Sequence, residues 1–443
     1  MTRKNPVWPW VAAFLVLALA VTQDGGTNPL SRYAAMRAVT ESGTLHINRY
    51  VDWTHDWAES PNGNYYSNKA PGAALLGLPL FALTDLVAAP LEEGRRDEKG
   101  RRPHPSYPQH LALVLLLQLL PFSGLVLAIA RWLRERGISH ARIHLFALLA
   151  LFGNTASILM NSYFGHGMAA CLMLAFSWFA LQERFFAAGI ALGLSALTDY
   201  GGLLALPFAA LLAFSSPGGG RALWRLALGG AAPAVLWAWY HTAAFGGPLR
   251  LASLYINPAQ VAGGSPDLFA RTEILAQLLF GQGRGLLVTQ PWVLVLIGLA
   301  LFSRKADRRE TRAHEWFCLA TLSALLLLHA STWSWQAGFS PGPRYLSAIL
   351  PSLALALALR PVPAAWVPAV LLATGIALGL RALLYPFSLL APPDDLWLTH
   401  LAGLLSPKSG TPVLRLAVFV AVMGAASAVV WKRFRRLPAS SES

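Results

Sequence analysis

Apolar stretches near the length that crosses a bilayer, roughly 17–25 residues, recur from one end of this chain to the other. So much apolar surface cannot be hidden in one water-bounded core. A soluble globular fold is excluded, and the expected class is an all-α polytopic membrane protein. The composition agrees: 55% of residues are apolar, 13% are charged, and the mean hydropathy is positive. Spans are expected at about 7–23, 107–131, 141–160, 164–182, 185–198, 199–214, 221–243, 286–303, 315–332, 344–360, 363–384 and 413–431, about twelve crossings in all. The first run has the charged start and apolar core of a signal peptide. It lacks a convincing small-residue cleavage site and is read as a retained helix.

A net charge of +14 raises the question of nucleic acid. The basic residues, however, sit in short runs between apolar segments: Arg131/Arg134/Arg136, Arg304/Lys305/Arg308/Arg309 and Lys432/Arg433/Arg435/Arg436. That is the pattern of loops obeying the positive-inside rule, so no nucleic-acid partner is expected. Cys171 and Cys318 lie inside apolar runs, and neither a disulfide framework nor a thiolate metal site is expected.

One polar insertion breaks the apolar rhythm early. From Asp24 to Gly72 the chain carries Asp24, Asp52 and Asp56, two His, two Glu, several Tyr and Trp, and Lys69 just before Pro71-Gly72. Connecting two membrane helices takes only a handful of residues, and about fifty is far more than that. This segment, with the chain to residue 106, is expected to form a first outer loop holding the active-site elements. Residues 245–285 would form a second outer loop. The whole chain, 1–443, is read as one transmembrane domain without a soluble C-terminal domain. Within the first loop, Ser31–Glu41 has the spacing of an amphipathic helix lying on the membrane surface.

The apolar segment 70–89 is ambiguous, because it carries Pro71, Pro79 and Asp85. If it crosses, Pro90–Ser106 lies inside and Arg131–Arg142 outside; if it is re-entrant or surface-lying, the two exchange places. The loops hold five and four Lys or Arg, so charge alone does not decide. With 70–89 not crossing, both termini fall inside. The polar insertions Asn161–Gly167, Thr198–Gly202, Phe245–Arg284, Trp333–Arg344 and Pro386–Pro412 then share the outer face.

Five features on that face carry chemistry. Asp24 is a carboxylate at a helix end, where capping is the plainer role. Lys69 can snorkel or hold a phosphate as a point charge. His166, in Phe164-Gly165-His166-Gly167, stands at a helix start, a common interfacial position. Arg284 and Arg344 each follow a Gly- or Pro-rich turn ahead of a span, and turn amides with a guanidinium make an anion site. One carboxylate base with several cations suits transfer from a membrane-anchored phosphate: the cations stabilise the departing phosphate and the Asp deprotonates the acceptor. Zinc-ligand spacings and a P-loop are absent from the sequence.

These motifs, taken in order, resemble a GT-C-fold, polyprenyl-phosphate-dependent glycosyltransferase. That broad group includes protein O-mannosyltransferases and lipid A aminoarabinose transferases, and the likeness is to an uncharacterised bacterial branch. It rests on Asp24 after the first helix, Ser31-Arg32-Tyr33, Gly43-Thr44-Leu45, and Asp56 before Gly63-Asn64-Tyr65-Tyr66-Ser67-Asn68-Lys69-Ala70-Pro71-Gly72. Phe164-Gly165-His166, Arg284-Gly285-Leu286 and Gly342-Pro343-Arg344-Tyr345-Leu346 continue it, over nearly the whole chain. The resemblance implies a polyprenyl-phosphate-linked sugar donor, a lipid, glycan or protein acceptor, an outer (periplasmic) site in the bacterial inner membrane, and inversion at the sugar carbon. Asp24 would be the base, with Asp56 sharing that role or holding a divalent ion with it, although no cofactor is required. Lys69 and Arg344 would contact the lipid phosphate, and Arg32, Tyr33, Tyr65, Tyr66, His166, Arg284 and Tyr345 would complete the substrate site. It also implies that 70–89 packs as an outer-side helix. Ala70 departs from the family's usual Pro, and Asp199-Tyr200 stands where many relatives carry a Lys or Arg on the lipid phosphate.

Two rivals remain. A transporter or flippase of lipid-linked sugars would place ionisable residues deep within spans. A structural subunit would tolerate replacement of Asp24, Lys69 and Arg344.

Overall fold

Backbone amides in apolar surroundings must be satisfied within their own segment, which favours helices throughout. The computed structural model describes residues 6–20, 22, 26–92, 95–258, 270–281, 284–302, 309–332, 335, 342–361, 417 and 420–429. Asp24, Gln282, Gly283 and the span expected at 363–384 lie outside the described residues. The helices are α1 (Trp8–Ala20), α2 (Thr27–Ser42), α3 (Gly72–Glu92), α4 (Tyr107–Glu135, with a π-helical turn at Leu115–Leu119), α5 (His140–Leu151), α6 (Thr155–Leu159), α7 (Gly165–Ala180) and α8 (Phe185–Thr198). There follow α9 (Leu206–Ser215), α10 (Gly219–Phe245), α11 (Thr272–Phe280), α12 (Leu286–Thr289), α13 (Trp292–Phe302), α14 (Arg309–Ala330), α15 (Leu350–Leu359) and α16 (Val420–Val429).

Among the described residues, α4 and α14 are long and apolar enough to cross a membrane, by length and composition. The segments His140–Leu151 and Thr155–Ser162, bent by 46°, make a third if read as one broken span. Several shorter apolar helices accompany them, so the chain is mostly helical and compatible with an all-α membrane protein. Leu211, Phe214, Trp224, Val235 and Phe302 point outward from these helices and are exposed, a surface that water would penalise and lipid would not. Helices α8 and α10 touch backbone to backbone. A Cβ at Gly189 would lie 2.0 Å from the Leu226 carbonyl oxygen, and one at Gly229 2.0 Å from that of Phe186; small residues permit such approach where lipid supplies no hydrophobic drive.

Charged groups gather at two ends of the helices. At one, Arg136 donates to Glu310 at 2.8 Å, Arg142 donates to the Ala358 carbonyl at 2.8 Å, and Arg360 is ion-paired with the buried Glu315. At the other stand His329, Arg344, His166 and Asp199. Helix α14, with 22 residues from Arg309 to Ala330, carries Glu310 near one end and His329 near the other; it is about 33 Å long at 1.5 Å per residue, close to the hydrocarbon thickness. Helix α4 begins at the second end, where His110 meets the Tyr33 hydroxyl at 2.5 Å, and leads to Arg136 at the first. The chain before α4 and the chain after it therefore lie at opposite ends.

That fixes α3 geometrically. The chain following it is held to the segment preceding it: Arg101 pairs with Asp52, Arg102 with Glu41 at 2.7 Å, and Arg49 donates to the Gly100 carbonyl at 2.8 Å. Asp85 near its end takes Arg37 and, at 2.9 Å, Arg102. Both ends of α3 thus meet the same polar assembly. Two features differ from the sequence expectation. Residues 31–41 are helical, but α2 does not lie with its basic face in water: Arg32 and Arg37 are buried, because Asp85 and Glu41 sit where they can pair with Arg37. The otherwise helical chain also contains an antiparallel hairpin, β1 (Trp57–Glu59) and β2 (Tyr65–Ser67), pairing Ala58 with Tyr66. Tyr50 donates to Glu41, whose carboxyl is held below its ordinary range: burial works against this, and Tyr50, Arg102 and Arg37 prevail.

Asp85→Asn leaves the fully buried Arg37 without its nearest charge partner, and breaking a buried pair from one side costs about 3–5 kcal/mol. Thermal unfolding in detergent is expected to show that loss. Lys99→Ala, which removes an exposed partner of Asp52, is expected to cost about 0–1 kcal/mol.

Candidate functional site

Five charged groups from five parts of the chain meet at the second end. Arg32 lies on the buried face of α2, Asp56 precedes β1, Lys69 follows β2, Asp199 follows α8, and Arg344 opens the turn before α15. Lys69 Nζ lies 3.1 Å from Asp56 Oδ1. The Asp56 backbone is fixed from both sides: its amide donates to Thr54 Oγ1 at 3.0 Å, and its carbonyl accepts from Ser31 Oγ at 2.5 Å. Arg32 is anchored through Nη1 to the Asn28 carbonyl at 3.0 Å and to the Asn28 side chain, while its Nε is buried without a hydrogen-bond partner. The guanidinium crosses the bare start of α7, where a Cβ on Gly165 would lie 2.7 Å from Arg32 Nη2. Arg344 lies 5.4 Å from the ring centroids of both Phe164 and Tyr345, and its Nε is likewise buried and unpartnered.

The three cations lie in one another's fields. Burial pushes Lys69 down to about 8; Asp56 opposes the shift, and Arg344 and Arg32 add to it. Burial also brings Arg32 down to about 10, against Tyr163, Asp56 and Asp199 and with Arg344 adding. Three cations face two carboxylates, so this group carries one excess positive charge. Holding it out of water costs free energy that a bound anion would recover. A narrow cleft of about 20 Å³ opens beside Arg32 and Lys69, with Met36, Val39, Leu75 and Leu78 among its apolar walls.

On the far side of Arg32, His166 at the start of α7 faces Asp199, Nδ1 to Oδ2 at 2.5 Å. Asp199 Oδ1 accepts from the Gly201 amide at 3.0 Å. The Tyr345 ring meets His166 edge-on, with centroids 5.8 Å apart, and stacks on His329 at 4.4 Å.

The sequence-expected residues divide accordingly. Arg32, Asp56, Lys69, His166, Arg344 and Tyr345 come together. Tyr33 belongs to the core, stacked on Tyr163 at 5.5 Å and bonded to His110. Tyr65 packs edge-on against Trp57 at 5.0 Å, and Tyr66 against Phe245 at 5.4 Å, so both brace the hairpin. Arg284 is buried in a separate turn whose Gly285 amide returns to the Gly281 carbonyl at 2.6 Å. Sequence reasoning noted Asp199 only as a departure from the family pattern, and placed neither it nor His329 among the site residues. Asp199 could have been found: α7 and α8 are antiparallel neighbours joined by a short turn, so the start of one and the end of the other share a face. Among the described residues no group of three or more His, Cys, Asp or Glu could hold a metal ion. Neither a protein-family model, nor a curated protein, nor a solved structure matches the chain.

Anion binding at this group is expected to weaken as pH rises through about 8, because Lys69 loses its proton there while a phosphate monoester, with a second pKa of about 6, is already dianionic. Titrating polyprenyl phosphate into the detergent-solubilised protein between pH 7 and pH 9.5 (a range on the order of the Lys69 transition) checks this. Lys69→Met should flatten the profile. Gly165→Ala, by displacing Arg32, should weaken binding at every pH.

Proposed function

We propose that this chain is a membrane glycosyltransferase of the GT-C type, moving a sugar from a polyprenyl-phosphate donor to an acceptor hydroxyl. The observation that carries the reading is the net-positive group of Arg32, Lys69 and Arg344, of which Arg32 and Lys69 line an apolar-walled cleft. A lipid phosphate is the ligand whose two halves suit both features: an anion for the cations and a hydrocarbon chain for the wall. The fold we propose has about twelve crossings, with α2, the hairpin and α3 forming a first outer loop and 245–285 a second. Both termini are cytoplasmic and the site faces the periplasm of a bacterial inner membrane. In support, the end carrying Arg131–Arg142 is the one that also carries Glu310 and Arg360, and Lys- and Arg-rich loops favour the cytoplasm.

In this reading the acceptor oxygen attacks the anomeric carbon, the carbon–oxygen bond to phosphate breaks, and the configuration inverts. The cations stabilise the departing phosphate more than the bound donor, which is what lowers the barrier. A phosphate oxygen competes with Asp56 for Lys69, so Asp56 holds the lysine in place until the donor arrives. Asp24 is the base expected from the sequence. The acceptor is a lipid, a glycan or a protein. A transporter is the second reading, but the ionisable residues of α14 lie at its ends and not midway, where coupling sites belong.

Purified protein incubated with radiolabelled polyprenyl-phosphate hexoses and pentoses and membrane extract is expected to transfer label. Lys69→Met and Arg344→Gln should each weaken donor binding about tenfold or more, the worth of a charge-assisted contact. Asp24→Asn tests the base expected from the sequence: loss of transfer with donor binding retained keeps Asp24 in that role, and full activity removes it. Movement of donor across liposomes without its consumption refutes the enzyme reading.

A further inference from the structure

The charged group is not symmetric about Arg32. The apolar cleft opens on the side of Lys69, where Met36, Val39, Leu75 and Leu78 line it and no imidazole does. On the other side lie His166, Asp199, His329 and Tyr345, a cluster of aromatic faces and polar atoms. A lipid-phosphate donor has the same asymmetry, with hydrocarbon on one side of phosphorus and sugar on the other. If the lipid follows the apolar wall, the sugar and its acceptor are left on the His166 side. Aromatic faces suit the apolar surface of a sugar ring, and proton transfer has to occur there.

We propose that His166, oriented by Asp199, is the group that takes the proton from the acceptor hydroxyl. This inference rests on the glycosyltransferase reading and adds to it the direction of the donor and the identity of the acceptor-side base. Three features of the geometry carry it. Asp199 is fixed by the Gly201 amide through one carboxylate oxygen and meets His166 Nδ1 through the other. A carboxylate there holds the proton on Nδ1, so the lone pair resides on Nε2, the tautomer a base needs. Asp56 is placed differently: its carboxylate is engaged by Lys69 on the lipid side.

The step balances. The acceptor O–H proton passes to His166 Nε2, the new carbon–oxygen bond forms at the anomeric carbon, and the lipid phosphate leaves with the electron pair of the broken bond. The resulting imidazolium is stabilised by Asp199, with Arg344, Arg32 and His329 as the other charged or titratable neighbours that face the pair. Tyr345, stacked on His329, meets the His166 ring edge-on and braces the pair.

The test uses the full-length protein in detergent, with polyprenyl phosphate as the binding probe and the polyprenyl-phosphate hexose and pentose panel for transfer. His166→Gln is expected to bind polyprenyl phosphate within about twofold of wild type, and Asp199→Asn, which removes one of the two carboxylates facing the cations, at least as tightly as wild type; retained binding also reports that they are folded. Transfer should fall on the order of 100-fold or more, the usual worth of a general base. His166→Ala should regain part of its transfer when imidazole is added, a rescue that a merely structural histidine does not give. Wild-type transfer by His166→Gln would falsify the assignment, most decisively if Asp24→Asn is inactive beside it. Loss of binding and transfer together in both variants, without imidazole rescue, also overturns it by making the pair structural. A wild-type protein that neither binds polyprenyl phosphate nor transfers label defeats the glycosyltransferase reading itself, and this inference with it.

Discussion

Charge buried among apolar helices must be neutralised by other charge, and this single requirement shapes the first hundred residues. Arg37 has no exposed side chain, so it needs Asp85; Asp85 draws in Arg102; Arg102 reaches Glu41; and Glu41 takes the Tyr50 hydroxyl. The chain of partners joins α2, the segment 48–53, α3 and the stretch before α4 into one body. Each link is worth little in water and much more out of it. Because the body is closed, α3 cannot carry its C-terminal end away from α2, and Lys69 and Arg32 are held at fixed positions on the same piece.

The site reverses that logic. There the neutralisation is left incomplete, with Arg32, Lys69 and Arg344 set against Asp56 and Asp199. The Nε atoms of Arg32 and Arg344 are buried and unpartnered. Such a deficit persists in a fold only if the surroundings over-determine it, and here they do: Asn28 clamps one guanidinium, and two aromatic rings support the other. The lysine is the adjustable member. Its ammonium is held by one carboxylate and weakened by burial, so an incoming anion can displace Asp56 and restore the full charge.

Much of this was legible in the sequence. Helical character compatible with a membrane protein followed from the repeated apolar runs, and the length and carboxylate content of residues 24–72 marked a segment longer than a connection needs. Lys69 and Arg344 stood out together: one cation at a membrane edge is commonplace, but several beside Pro and Gly on one face are less so. Tyr33, Tyr65 and Tyr66 could not be sorted in that way, since a tyrosine in a motif reads alike whether its ring faces a ligand or a neighbouring ring. The pairing of Asp199 with His166 takes a different argument: the two lie 33 residues apart, beyond any local spacing rule, and come together through the antiparallel packing of α7 and α8.

What the sequence determined by itself is the class of environment each segment occupies, because apolar length and charge placement act through transfer free energies that need no partner. What only the tertiary structure decided is which charges neutralise one another. Pairing depends on distance, and the distances from His166 to Asp199, from Lys69 to Asp56 and from Arg37 to Asp85 are set by the packing of helices far apart in the chain. The direction of the cleft relative to Arg32 is of the same kind. It exists only where α2, α3 and the Lys69 corner meet, and none of the three encodes it alone.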